Sequence, residues 1–169
     1  MSPSIKFKIR EFIFKDHLFN FKHFNGNEEF IQDLLNVVSF KFSTPEEKIL
    51  KEMDSEGKDV FFNVVGLLNA FKQITTTRRI KLGQLMPGQI IGYEQAILGS
   101  NHRVTYETVS YSTLGQISQE DFNKVLIRFR SLRQNIIDCA ATNKFDILKD
   151  RFIEVARKSI PYFKKISEN

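Results

Sequence analysis

The stretch Gly92-Tyr93-Glu94-Gln95-Ala96-Ile97-Leu98-Gly99-Ser100-Asn101-His102-Arg103 decides how this chain is read. A glycine, a carboxylate and a small apolar pair come first. Nine positions after the carboxylate stands an arginine that leads into an alternating strand. Backbone N–H groups beside small residues can face an anion with no bulky Cβ in the way. A guanidinium forms two parallel, charge-assisted hydrogen bonds with phosphate oxygens. A carboxylate on the same segment accepts from a sugar hydroxyl. Gly92, Glu94, Ala96, Ile97 and Arg103 thus compose a phosphate cradle, with Ala96 and Ile97 contributing backbone N–H groups only.

Around this segment, Val37 to Ile117 reads as short strands separated by turn chemistry. Val38 to Phe42 alternates, and Ser43-Thr44-Pro45-Glu46-Glu47 turns the chain. A strand is expected over Lys48 to Met53, closed by Asp54-Ser55-Glu56-Gly57. Val60 to Val65 reads as a buried strand, broken by Gly66 before Leu67 to Ile74. Thr75-Thr76-Thr77 bends the chain, and Arg78 and Arg79 are expected in a solvated turn. Met86-Pro87-Gly88 is a strong turn signal. Val104 to Tyr111 and Thr113 to Ile117 complete a set of roughly eight strands, spaced as in a roll or barrel.

Helical patterns flank the strands. Ile5, Ile9, Phe12 and Ile13 share one helical face. Asn27 is a predicted N-cap, with Glu28 and Glu29 in the first turn of a helix carrying Phe30, Ile31, Leu34 and Leu35. Ser118 and Asp121 have capping-box spacing ahead of Phe122, Val125, Leu126 and Phe129. A second helix is expected from Leu132 through Ala141, and a third over Phe145, Leu148, Phe152 and Val155, ended by Pro161.

Composition narrows the function classes. With 169 residues, 41% hydrophobic and 27% charged, the chain is sized and composed as one ordinary globular domain. Its net charge of +5 is spread among acids and reads as a solvated surface. A single cysteine, Cys139, allows no internal disulfide and fits a reducing, cytoplasmic setting. No apolar run approaches the ~18 residues of a membrane helix, and the start lacks the apolar core of a secretory signal. His17, His23 and His102 have no metal-ligand spacing with Cys139 or with acidic clusters. Phosphate-loop lysines, paired catalytic carboxylates and a serine elbow are missing, so no catalytic residue is assigned. Without a basic recognition helix after the strands, no DNA partner is expected.

The cradle resembles the phosphate-binding cassette of the cyclic nucleotide-binding domain family, which usually reads Phe-Gly-Glu-x-Ala-Leu, then a short spacer, then Arg-x-Ala. Ala96, Gly99 and Arg103 fall on the family's alanine, glycine and arginine. Tyr93 stands as an insertion between glycine and glutamate, His102 replaces a common proline, and Val104 and Thr105 follow the arginine. The likeness extends over residues 27 to 145, through the Pro45 turn and the Val60 to Gly66 strand. It implies an α+β fold: an eight-stranded antiparallel β-roll, jelly-roll-like, between a helical lead-in (residues 1–26) and a C-terminal helix and tail (146–169). By the same resemblance Gly92, Glu94, Ala96, Ile97, Arg103, Val104 and Thr105 hold the ligand, Leu85, Met86 and Ile91 line a purine pocket, and Asn143, Lys144 and Phe145 are lid candidates.

Two functions follow from that likeness. One is a non-enzymatic regulatory module with no bound cofactor, which takes a cyclic nucleotide and signals through its C-terminal helices. cAMP is expected over cGMP, because Val104 lacks the hydroxyl that often accompanies cGMP preference. The other is a roll that has lost its ligand and serves as an interaction subunit, a reading favoured by Tyr93 and the bulk of Val104. On either reading, apolar faces on the terminal helices point to a protein partner or larger assembly.

Overall fold

The computed structural model describes residues 2–21, 24, 26–54, 57–138 and 153. Its first helix, α1 (Pro3–Phe19), opens where Ser2 Oγ accepts from the Ile5 N–H, with Pro3 where a missing N–H costs nothing. α2 (Glu28–Val37) begins at the predicted cap: Asn27 Oδ1 accepts from Phe30 N–H at 2.9 Å, and Glu28 and Glu29 lie at the positive end of the helix dipole. Ile5, Ile9 and Phe12 do share one face of α1, joined by Phe19, but that face is exposed. Ile13 instead packs with Phe7, Phe14 and Leu18 on the side that enters the core.

The strands are β1 (Ser39–Ser43), β2 (Lys48–Leu50), β3 (Val60–Val65), β4 (Leu68–Gln73), β5 (Arg79–Leu85), β6 (Ile90–Ile91), β7 (Thr105–Thr108) and β8 (Ser112–Ile117). They form two four-stranded antiparallel sheets, ordered β1-β8-β3-β6 and β2-β7-β4-β5. A short helix, α3 (Tyr93–Leu98), joins β6 to β7 and so carries the chain from the first sheet to the second. α4 (Gln119–Arg128) follows β8, and a further helix, α5, is described over residues 130–138. This is the expected α+β roll flanked by helices.

Three expectations are corrected. β2 ends at Leu50 rather than Met53, because Met53 takes φ 63° and turns its N–H to the His102 carbonyl. β7 ends at Thr108 rather than Tyr111, and a single bond from the Val109 N–H to the Leu67 carbonyl continues its register with β4. Arg79 lies in no turn: it opens β5 opposite Gln73, stacks over Phe71 and grips Glu107 with both terminal nitrogens (2.6 and 3.3 Å). Cys139, the expected third helix and the lid candidates fall outside the described residues.

Packing places the site. The first sheet's outer face receives the helices: Gly115 lies between Phe40 and Phe62 in the register, and the Phe14 ring settles over it. A Cβ at residue 115 would meet Phe14 Cε1 at 2.7 Å, so the glycine is what admits the ring. Phe24, Phe30, Leu34, Ile117, Phe122 and Leu126 extend this core. At the start of α4, Ser118 Oγ accepts from Asp121 N–H at 3.1 Å, as the capping spacing predicts. The first sheet's inner face meets the second sheet around Leu50, Phe61, Leu68, Ile91 and Leu114. A smaller cluster of Ala70, Ile80, Leu82 and Val104 fills the neighbouring part of the roll. α3 therefore lies between the helical layer and the roll.

Candidate functional site

Gly92 and Gly99 bracket α3, both left-handed, at φ 84° and 67°. Only glycine takes such angles at little cost. At Gly92 space is also closed, since a Cβ would collide with the Asp59 carbonyl oxygen and come within 3.2 Å of Leu50 Cδ1. Tyr93, the inserted residue, is a core residue: it is buried and meets Phe21 edge-on, ring centroids 5.2 Å apart. That anchor turns the next residue, Glu94, into the protein, where it is 5% exposed. Burial pushes the Tyr106 phenol up to about 12, and the Glu94 carboxylate adds to the rise. Ala96 is buried and Ile97 half-buried.

A phenol whose folded pKa is raised keeps its contribution to stability below the unfolded value of 10.0 and loses it as pH climbs toward 12. Stability should therefore fall across that alkaline interval in wild type. Tyr106→Phe, followed by urea unfolding at several pH values, should flatten the fall.

Beyond α3 the chain is stitched to the loop before β3. His102 is buried, and its Nε2 lies 2.5 Å from the Gly57 carbonyl; a carbonyl only accepts, so this nitrogen carries the proton. Arg103 is exposed, while its backbone carbonyl accepts from Lys72 Nζ at 2.9 Å. Lys72 also pairs with Glu52, whose carboxylate takes the Gln73 N–H at 2.9 Å. The Glu52 N–H donates in turn to Thr105 Oγ1 at 3.1 Å. Val104, next to the arginine, is 5% exposed among Ala70, Ile80 and Leu82. Of the purine-pocket candidates, Ile91 lies in the roll's core, Leu85 is half-buried and Met86 is exposed.

The far end of α3 is held from outside the roll. Gln119 Nε2 and Asn123 Nδ2, both on α4, donate to the Ala96 carbonyl at 3.0 and 2.9 Å. Lys58 Nζ donates to the Gly99 carbonyl at 2.6 Å. Glu52, Lys72, Gln119 and Asn123 thus frame the segment, although no sequence motif singles them out; strand register and the seating of α4 bring them there. Among the described residues no group of three or more His, Cys, Asp or Glu is placed to hold a metal ion. Among the same residues no helix is long and apolar enough to cross a membrane.

The sequence profile of the cyclic nucleotide-binding domain family matches residues 41–129, and the chain belongs to that family. Among solved structures, the regulatory domain of protein kinase A (PKA) from Toxoplasma gondii, crystallised with cAMP, is similar. It has a TM-score of 0.67 at 12% identity, over 79% of this chain and 51% of that one. The regulatory subunit of a cAMP-independent PKA from Trypanosoma cruzi, bound to guanosine, gives 0.68 at 14%, over 86% and 51%. Its Trypanosoma brucei counterpart gives 0.66 at 12%, over 86% and 53%. At such identities the likeness is one of fold, and the chain spans about half the length of each. No curated protein sequence matches it.

Proposed function

We propose that this chain is a non-enzymatic, intracellular regulatory module that binds a cyclic nucleotide, cAMP in preference to cGMP. The observation that carries this reading is Glu94: a carboxylate buried in the first turn of α3, beside Tyr106, at the cassette position for the ribose hydroxyl. Ala96 and Ile97 belong to the same short helix, capped by Gly92, in which the Ala96 N–H already donates to the Gly92 carbonyl at 2.9 Å, and Arg103 brings the cation for the cyclic phosphate. Its side chain is exposed, and the Lys72 bond to its carbonyl steadies the segment. Val104 supplies no hydroxyl and thereby favours adenine over guanine; Thr105 completes the wall, its own hydroxyl already serving Glu52. Similar folds holding cAMP in one case and guanosine in another support a purine nucleoside as the recognised core.

The signal leaves through α3. A ligand that shifts this helix strains or relaxes the two hydrogen bonds that Gln119 and Asn123 donate to the Ala96 carbonyl, and α4 follows. For a switch, the ligand must favour one arrangement of α4 over another. Calorimetry tests the binding. Arg103→Ala should weaken cAMP by about 2 kcal/mol, or roughly 30-fold. Arg103→Lys should also bind poorly, since a point charge does not replace the planar fork. Equal affinity of wild type and Arg103→Ala would overturn the assignment.

A second reading, an interaction subunit without nucleotide, is favoured by two observations. Val104 occupies room inside the roll, and α1 leaves Ile5, Ile9, Phe12 and Phe19 exposed along one stripe. Sedimentation of wild type and Phe12→Asp decides it: self-association abolished by the aspartate, with no response to cAMP, would put this reading first.

A further inference from the structure

On the side of α3 away from Glu94, the turn from α4 into α5 borders an open cleft of about 600 Å³. Phe129, at φ −117° and ψ 65°, leaves helical geometry, so α5 departs at an angle and its first turn faces back toward α3. That turn brings Arg130 and Arg133 to the cleft wall, with Gln134 beside them. Ile97, Leu98 and Ile127 provide an apolar wall. The remaining lining includes Gln119 and Asn123, and among the described residues it contains no carboxylate.

Charge pairing separates these two arginines from their neighbours. Arg128 pairs with Asp33 and Lys124 with Glu120. Among the described residues, no ion pair engages Arg130 or Arg133. Two like charges one helical turn apart repel unless an anion lies between them. The N-terminal turn of a helix adds positive potential from its unbonded N–H groups. The volume is that of a small-molecule site rather than of a single ion, and such sites combine apolar walls with a few convergent polar groups.

We infer that this cleft binds a small amphipathic anion, its phosphate or carboxylate group held by Arg130 and Arg133 and its apolar body resting on Ile97, Leu98 and Ile127. Gln119 and Asn123, which hold the Ala96 carbonyl, form part of the same wall, so an occupant braces α3 against α4 and α5. The site is spatially separate from the one in the roll, because Glu94 faces the roll and Ile97 and Leu98 line the cleft.

The test is a nitrogen-15 NMR titration of the full chain with 1-naphthyl phosphate, with 1-naphthol and inorganic phosphate as separate arms. Saturable shifts are expected at the amides of Gly99, Asn123 and Arg133. Binding should weaken at least tenfold in the double variant Arg130→Gln, Arg133→Gln, and again in Ile127→Glu, which sets a carboxylate in the wall. All three side chains are exposed, so the variants should keep the wild-type spectrum elsewhere. Naphthol binding as tightly as its phosphate would overturn the anionic half of the proposal, and inorganic phosphate binding as tightly would overturn the apolar half. Shifts confined to Glu94 and residues 103–106, or an affinity unchanged in the double variant, would overturn the site itself.

Discussion

Gly92→Ala is expected to destabilise the chain by about 3 kcal/mol, within a range of roughly 2–5 kcal/mol. A left-handed conformation costs an alanine roughly 1–2 kcal/mol, and the new methyl group adds a collision that costs roughly 1–3 kcal/mol. Its obstacle is the Asp59 carbonyl, a backbone atom that cannot rotate out of the way as a flexible side chain would. For a domain of this size the melting temperature should fall by roughly 6–12 °C. Gly99→Ala is the internal control: it is also left-handed, yet a Cβ there meets nothing within 4 Å. It should cost only the conformational part, roughly 1–2 kcal/mol. Thermal unfolding of both variants separates strain from collision. Equal losses would mean that the approach of Gly92 to Asp59 is not tight.

The second large effect concerns α1. Phe14 is fully buried, its ring 4.9 Å from that of Phe40 and seated over Gly115. Phe14→Ala should cost about 3–5 kcal/mol, the range for emptying a buried aromatic site. Phe12, two residues earlier, is 88% exposed, and Phe12→Asp should change stability by no more than about 0.5 kcal/mol. Urea unfolding of the two variants shows which face of α1 carries the fold. A large loss in Phe12→Asp would mean that the helix packs on the other side.

That pair also marks how far the sequence could be read. α1 has aromatic or branched residues on most of its circumference (Phe7, Ile9, Phe12, Ile13, Phe14), so periodicity alone offered two faces. The cap residues Asn27 and Ser118 were legible because a cap is a contact three residues long, wholly contained in the local sequence. Strand positions were legible from turn residues, and strand ends less so. Met53 turns its N–H to a carbonyl far away in sequence, that of His102. Arg79 was misread for a related reason. Its partners Glu107 and Phe71 meet it only once β4, β5 and β7 are in register.

In the candidate site the pattern of small residue, carboxylate and arginine was legible as a pattern. What it left open was the meaning of Tyr93. As a spacer, an extra residue re-aims everything after it. As a core aromatic packed on Phe21, it fixes the first turn of α3 and sets Glu94 inward. The Glu52–Lys72 pair and the two amides on the Ala96 carbonyl come from three separate elements, and no local spacing announces them.

The central claim is that the cassette formed by α3 and the start of β7 receives a cyclic nucleotide. The most direct measurement is an amide NMR titration of the full chain with cAMP. The account predicts saturable shifts at residues 94–97 and 103–105 that spread through Ala96 to Gln119 and Asn123, with cGMP weaker and Arg103→Ala much weaker still. No saturable shift with either nucleotide, or shifts unaltered by Arg103→Ala, would contradict it.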